Sequence, residues 1–369
     1  TIFLKVVMEN NTKKLWKTYY KTELTKIIPL LDNLGFSLEE EQVHVIGERY
    51  IINNQKLILT GRRVKNGQRV IIKISNNEKF IKEIEHERKC REILKKIDFS
   101  SHVFFSPQEI LFTKKQGFII FVTAFIEQEN TFLERPFEEQ FFLALKALEV
   151  QEGVHATTYK HASVIKKIFG IWNAEKYFEI FNKYKKEIES KSPENKKTKI
   201  IFLKAQEFIR TNFETINLYS GFLVHWDFVP HNIRIDKRNI YLLDHSSMRF
   251  GNKHESWARF INFMTLYNPK LEKALIDYIK DNRSQEETLS LQLMRVFRLT
   301  ELIKYYVSTL ENLSGNVLTL NKKRIEFWSN ALEAVLDNKF VRQEIIDDYK
   351  NIRDSLRSED EKQRQKNLH

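Results

Sequence analysis

Apolar residues recur at roughly helical spacing along residues 10–32, at Leu15, Tyr19, Leu24, Ile27, Ile28 and Leu31, which predicts an amphipathic helix ended by Gly35. From residue 43 the period shortens. The stretches "VHVIGERYII" and "KLILTGRRVK" read as strands, Asn66-Gly67 is a strong short hairpin signal, and "QRVIIKIS" supplies the returning strand. A charged helix follows over residues 78–97, "EKFIKEIEHERKCREILKKI", then strands at 108–113, "QEILFT", and 117–126, "GFIIFVTAFI". Beyond about residue 130 the pattern is helical almost throughout. The exceptions are residues 222–245 and a polar loop at 190–199, "SKSPENKKTK". The tail from Arg357, "RSEDEKQRQKNLH", has little apolar content and is expected to fray.

This order predicts an α+β chain of two lobes. Residues 1–40 form a helical N-terminal extension and 41–127 a small β-rich lobe with one helix. Residues 128–356 form a larger, mainly helical lobe, and 357–369 a disordered tail. The boundary falls near residue 127, after the last strand, and a cleft between two lobes is a usual place for a ligand.

Composition refines the picture. The 369 residues are 42% hydrophobic, with 28 phenylalanines, ample for packed cores, and the 10 glycines and 6 prolines are few, as a helical chain would have. The net charge of +12 comes from lysines spread along the chain and mixed with glutamates. A solvated surface explains that better than a nucleic-acid face, although it also suits an anionic ligand such as a nucleotide. Cys90 is the only cysteine, which excludes an internal disulfide or a cysteine zinc cluster and fits a reducing cytoplasm. No apolar run approaches a membrane span. The opening "TIFLKVV" is too short for a signal peptide, and Met8 is expected to be the natural start unless the N-terminus is incomplete.

The candidate chemistry is concentrated in "LVHWDFVPHNIRI", residues 223–235. Asp227 and Asn232 are five positions apart, and Asp244 follows in "IYLLDHS". A turn at Asp236–Asn239 between strands 233–235 and 240–243 returns Asp244 beside the loop that carries the other two. Two carboxylates and an amide oxygen are hard ligands of the kind that suit Mg²⁺ shared with phosphates. On the strand "RVIIKIS", Lys73 and Ile71 point one way and Val70, Ile72 and Ile74 the other. Lys73 could therefore bind phosphate while Ile71 packs an adenine ring. On the next helix Glu87, in line with Cys90 and Leu94, is the preferred partner of Lys73, with Glu83 as the alternative. A lysine on the third strand, a glutamate on the following helix, H-x-D-x-x-x-x-N and a later aspartate stand in the order of the phosphoryl-transfer machinery of kinases.

The stretch "HWDFVPHN" resembles the catalytic loop of the aminoglycoside phosphotransferase and choline kinase family of the protein-kinase-like fold, which typically reads H-G-D-x-x-P-x-N. His225, Asp227, Pro230 and Asn232 stand in register, and the helix 141–156, "FFLALKALEVQEGVHA", is similar to one that ends in a leucine-histidine element there. The resemblance covers roughly residues 43–265. It implies that Asp227 is the catalytic base, that Asn232 and Asp244 hold Mg²⁺, that Lys73 contacts phosphate and that His225 braces the loop. It also implies that a hinge at Thr123–Ile126, with Ala124 and Ile126, presents backbone groups to adenine. The activity implied is transfer of the γ-phosphoryl group of ATP, or GTP, to a hydroxyl on a small molecule. Departures are Trp226 in place of a small residue, which could narrow the pocket, and Val229 and His231 where a second His and a Gly are common. Glu255 or nothing takes the place of a later Asp, and Gly47 is a lone glycine in place of a phosphate loop. Two alternatives remain: a nucleotide-binding regulator without turnover, and a metal-dependent hydrolase using His225, Asp227, His231, Asp244 and His245.

Overall fold

The computed structural model describes residues 2–48, 55–96, 105–152, 167–191, 196–237 and 239–366. The small lobe is built on a five-stranded antiparallel sheet of β1 (Phe36–Leu38), β2 (Leu57–Arg63), β3 (Arg69–Ser75), β4 (Glu109–Lys115) and β5 (Phe118–Ala124), in the order β1-β2-β3-β5-β4. The Asn66-Gly67 turn joins β2 to β3, with Gly67 at φ +69° and its N–H donating to Arg63 O at 2.8 Å.

Strand alternation then assigns the two faces. Val70, Ile72 and Ile74 of β3 and Phe118, Ile120 and Val122 of β5 pack on helix α1 (Ile2–Asp32), which contributes Trp16, Ile27, Leu30 and Leu31. Each such fully buried side chain contributes about 1.5–3 kcal/mol relative to exposure. The opposite face presents Lys73 beside Phe121, its cross-strand partner, and there Ile119 and Phe121 meet Ile84 of helix α2 (Glu78–Leu94). Asn77 caps α2 by accepting from Lys79 N at 3.1 Å.

Three features differ from the expectation. The stretch 43–52 is not a strand where it is described: residues 43–45 form a 3₁₀ turn. The edge of β2 is taken instead by β1, and beyond it by the side chain of Gln42, which exchanges two 2.8 Å hydrogen bonds with Thr60 N and O as a strand neighbour would. Residues 49–52 lie outside the described residues. Second, helix α1 is a cover of the sheet rather than an extension, and Trp16 Nε1 donates to Val45 O at 3.0 Å. Third, the tail forms a helix, described below.

The large lobe runs through α3 (Phe137–Glu152), α4 (Ala174–Lys191), α5 (Lys196–Thr211) and α6 (Phe213–Leu218). Four short strands follow, β6 (Phe222–His225), β7 (Ile233–Asp236), β8 (Asn239–Leu242) and β9 (Met248–Gly251). Strand β6 pairs with β9 and β7 with β8, so the expected hairpin is joined by a second ribbon that the sequence reading left out. Helices α7 (Glu255–Tyr267), α8 (Pro269–Asn282), α9 (Gln285–Thr309), α10 (Gly315–Leu336) and α11 (Gln343–Leu356) complete the lobe, around a core that includes Tyr177, Phe181, Phe202, Trp257, Phe260 and Phe297. The lobes are tied where Phe105 N donates to Ile240 O at 3.0 Å and Leu242 N to Phe105 O at 2.9 Å.

Residues 359–366, expected to fray, form α12 (Glu359–Lys366). Acidic residues fill its first turn, Arg364 and Lys366 its last, and Glu359–Lys362 and Glu361–Arg364 pair along it, which stabilises a helix without apolar content. Glu361 is 1% exposed and accepts from Glu48 N at 2.8 Å. No helix of the described residues is long and apolar enough to cross a membrane.

Because α1 supplies one wall of the small-lobe core, Leu31→Ala should destabilise the protein by about 2–5 kcal/mol in urea denaturation. A loss below about 1 kcal/mol would mean that α1 is not part of that core.

Candidate active site

Strand β6 ends at His225, and the chain then crosses a loop that closes in a 3₁₀ turn over Pro230–Asn232. The β7–β8 hairpin brings the chain back, so that Leu243 N donates to Asn232 O at 2.8 Å and Asp244 arrives beside the loop. His225 ties the two ends together. Its Nε2 lies 3.0 Å from both Leu243 O and Asp244 O. Two carbonyls can only accept, so Nε2 carries the proton. Ser256 holds the histidine in turn, accepting from His225 N and donating to His225 O.

Asp244 has left-handed backbone, φ 54° and ψ 61°, a conformation that costs a non-glycine residue about 1–3 kcal/mol and is retained where surroundings enforce it. Ser246 and Ser247 hydroxyls donate to its carboxylate. Burial raises the pKa of Asp244, but Lys73, the Ser246 hydroxyl, Lys56 and His225 outweigh it and hold the group below the usual carboxylate range.

Asp227 is gripped from two sides. Arg259 Nε of α7 donates to Oδ1 at 3.0 Å, and Asn232 Nδ2 donates to Oδ2 at 3.1 Å and to Asp227 O at 2.9 Å. Burial again pushes the carboxyl up, and Arg259, with His225 and Arg298 behind it, pulls it below the ordinary range. Asn232 thereby directs its NH₂ to Asp227, and its amide oxygen has no hydrogen-bond partner among the described residues.

Lys73 Nζ bonds both carboxylate oxygens of Glu87, at 2.7 and 2.5 Å, and Glu87 is 4% exposed. Burial alone would lower the Lys73 pKa, yet Glu87 and Asp244 raise it above normal and so favour the charged ammonium. Glu83, the alternative partner, pairs with Lys56 instead, giving two Lys–Glu pairs between sheet and helix. Lys56 was not anticipated, although it precedes the β2 run "LILT" at the alternation that puts Ile58 on the same face.

These groups line a cavity of about 460 Å³ between the lobes, which takes in Ile71, Lys73, Glu87, Asn232 and Asp244, with Thr123 to Ile126 along its back. The hinge is narrower in its offer than expected. Ala124 N donates to Gln108 O and Phe125 N to Arg69 O, so the Ala124 N–H is closed to a ligand, while Ile126 N–H donates to no protein group among the described residues. Arg364 of α12 reaches the same cavity.

Gly47, expected near the phosphates, does not line this cavity. It stands at φ +70°, outside the cavity lining, and a Cβ there would meet Glu361 Oε2 at 2.4 Å. Its smallness serves the docking of α12. Trp226 narrows nothing: it lines neither this cavity nor the next, and its ring lies under Arg298 and Arg249, at 5.3 and 5.9 Å. Glu255 is fully buried, bonded by Arg249 and by Tyr177 OH at 2.7 Å, and so belongs to the core of the large lobe. The hydrolase set does not assemble. Among the described residues no group of three or more His, Cys, Asp or Glu is arranged to hold a metal ion. His225 bonds backbone carbonyls, and His245 is buried on Ser106 Oγ at 2.8 Å.

A second cavity, of about 340 Å³, lies on the other side of the Asp227–Asn232 pair, among α7, α9, α10, α11 and α12. Its walls are aromatic, with Phe263, Tyr267, Tyr305, Tyr306, Trp328 and Tyr349. The sequence carries no motif for it, because its lining comes from five helices spaced over more than a hundred residues. Arg259, four residues after Glu255 on α7, was the nearest missed signal. For a divalent cation shared with phosphates, the Asp244 carboxylate and the Asn232 amide oxygen are fitting hard donors, and too few to hold the ion alone.

A lobe with a five-stranded antiparallel sheet and one helix, a helical lobe and a loop-and-hairpin site between them define the two-lobed protein-kinase-like fold. Among solved structures, the chain is similar to aminoglycoside phosphotransferase APH(4)-Ia, with a TM-score of 0.52 and 12% identity over 87% of this chain and 98% of that one. It is likewise similar to a thermostable mutant of APH(4)-Ia in ternary complex with ADP and hygromycin B, with a TM-score of 0.51 and 11% identity over 77% and 90% of the two chains. The gentamicin complex of APH(2″)-IIa gives 0.50 and 14% over 73% and 87%. The shared feature is the fold. No protein-family model and no curated protein sequence matches the chain.

Asp244 has a depressed pKa in the folded state, so its charge stabilises the fold above the ordinary carboxylate range, near pH 4, and that contribution is lost as pH falls through the depressed value. The difference in melting temperature between wild type and Asp244→Asn should therefore be largest at neutral pH and shrink in acid. A difference constant with pH would contradict the assignment.

Proposed function

We propose that the chain is a phosphotransferase that moves the γ-phosphoryl group of ATP, or of GTP, to a hydroxyl group of a small molecule with Mg²⁺. The observation that carries this reading is the pair of cavities that meet at Asp227 and Asn232, one lined by Lys73 and Glu87 and the other walled by aromatic side chains. A nucleotide in the first would direct its terminal phosphate at an acceptor in the second. The ternary complex of the structurally similar APH(4)-Ia, with ADP and hygromycin B, supports such a division.

The residues divide the work. Lys73, kept charged by Glu87, binds and orients nucleotide phosphate, and Ile71 packs the base against the hinge. Asn232 and Asp244 would hold Mg²⁺, which neutralises phosphate charge. Asp227 orients the acceptor hydroxyl and receives its proton. Its depressed pKa makes it a weak base, which is tolerable because phosphoryl transfer proceeds through a loose transition state in which positioning and electrostatics do most of the work. Arg259 fixes the Asp227 carboxylate and lines the second cavity. A cytoplasmic nucleotide pool suits this chemistry and the single buried thiol of Cys90. A purely regulatory nucleotide binder has no need of the Asp227–Arg259–Asn232 grip.

The test is the slow Mg²⁺-dependent hydrolysis of ATP with water as acceptor. Asp227→Asn should reduce it about a hundredfold or more, with nucleotide affinity retained. Hydrolysis at the wild-type rate in that variant would remove Asp227 from the mechanism.

A further inference from the structure

The acceptor cavity has a charge balance unlike one built for a polycation. Its lining contains four arginines, Arg259, Arg324, Arg357 and Arg364, against three carboxylates, Asp227, Glu48 and Glu361. Each carboxylate already has an arginine partner. Arg259 Nε is 3.0 Å from Asp227, Arg324 Nη2 is 3.1 Å from Glu48 Oε2, and Arg364 Nη2 is 2.8 Å from Glu361 Oε1. Arg357 is left over. It forms no ion pair among the described residues, and its buried Nε has no hydrogen-bond partner there. Asp354, three residues earlier on α11, feels the Arg357 charge but is bonded by Arg353 at 2.7 Å, so the buried Arg357 Nε stays unsatisfied unless an anion arrives to match it.

Aromatic walls alone would also suit a quaternary ammonium, held by cation–π contact and a nearby carboxylate. Here that carboxylate is missing, and one ring face is already taken: the Arg324 guanidinium sits 5.3 Å from the Tyr306 ring centre. A cationic ligand would meet a net positive lining with no free acid.

We propose, resting on the phosphotransferase reading above, that the acceptor is a hydroxyl-bearing anion, with a carboxylate or phosphate that Arg357 binds and a flat body that lies between the aromatic walls. The guanidinium fork matches either oxyanion with two parallel hydrogen bonds. The transferred phosphoryl group goes from the nucleotide to the acceptor hydroxyl at Asp227, and the anionic group remote from it sets orientation. Arg357 is thus a specificity residue, carried at the junction of α11 and α12, the part of the chain whose sequence looked least structured.

The test is thermal-shift titration of the full chain with matched probes, at saturating Mg·ADP and without it. Glucose, glucuronate and glucose phosphate form one series, and para-hydroxymethylbenzoate and its neutral amide a second. Hygromycin B and choline are the cationic arms. The Mg·ADP shift reports the nucleotide site by itself, so failure of the phosphotransferase reading and failure of this inference are separable. At least one anion should stabilise the wild type more than its neutral counterpart and both cations, with carboxylate and phosphate arms showing which oxyanion is preferred. Arg357→Gln should weaken that anion about tenfold or more, and Arg357→Lys, which keeps the charge but not the two-pronged geometry, should recover only part of the loss. Stronger stabilisation by choline or hygromycin B overturns the proposal. So does the absence of any shift with the anions up to about 10 mM, or an anion affinity that Arg357→Gln leaves unchanged.

Discussion

An ammonium group on the apolar face of a sheet is tolerable only beside a carboxylate, and this requirement organises the small lobe. Lys73 sits in the middle of β3, opposite Phe121 across the ladder, and its charge must be met by Glu87 of α2. The pair therefore fixes α2 against the sheet at one height, and the Lys56–Glu83 pair one turn earlier fixes its rotation. With α2 in place, Arg91 can donate to Pro107 O and Ser106 can bond His245. Those contacts connect the small lobe to the segment that follows Asp244. A single buried charge thus couples the sheet, the helix and the far side of the cleft.

The large lobe solves a different problem, that of keeping two acids ionised in the lining of one cleft. Asp227 and Asp244 are both depressed in pKa although burial opposes ionisation, because each has its own cation: Arg259 for the first, Lys73 for the second. His225 lies between them and adds a smaller favourable charge to both. It donates to two carbonyls and so holds Asp244 in its left-handed conformation. Helix α12 contributes from outside the core, filling the space over Gly47 and lending Arg364 to both cavities. The C-terminal segment is consequently part of the site rather than an appendage to it.

Much of this was legible in the chain. The Asn-Gly turn set the β2–β3 register, the alternation of "RVIIKIS" assigned Lys73 to the cleft, and the spacing of "HWDFVPHN" to Asp244 marked the loop and the hairpin. What was not legible depends on side chains doing backbone work or on contacts distant in sequence. The glutamine at position 42 imitates a strand, so its neighbours lost the partner that their pattern called for. The tail is helical through charge pairs, which an apolar periodicity cannot reveal. The aromatic cavity is assembled from four helices that bury their other residues in an ordinary core and from the charged helix α12, and only their meeting defines a lining.

The account stands on the claim that Lys73 and Asp244 form a nucleotide site completed by a divalent ion. Calorimetric titration of the purified chain with the non-hydrolysable ATP analogue AMP-PNP, with and without Mg²⁺, tests this most directly, alongside Lys73→Met and Asp244→Asn. Binding should be tight with Mg²⁺ in the wild type, weakened about tenfold or more by Lys73→Met, and insensitive to Mg²⁺ in Asp244→Asn. Equal affinity in all three proteins, or the same affinity with and without Mg²⁺ in the wild type, would contradict it.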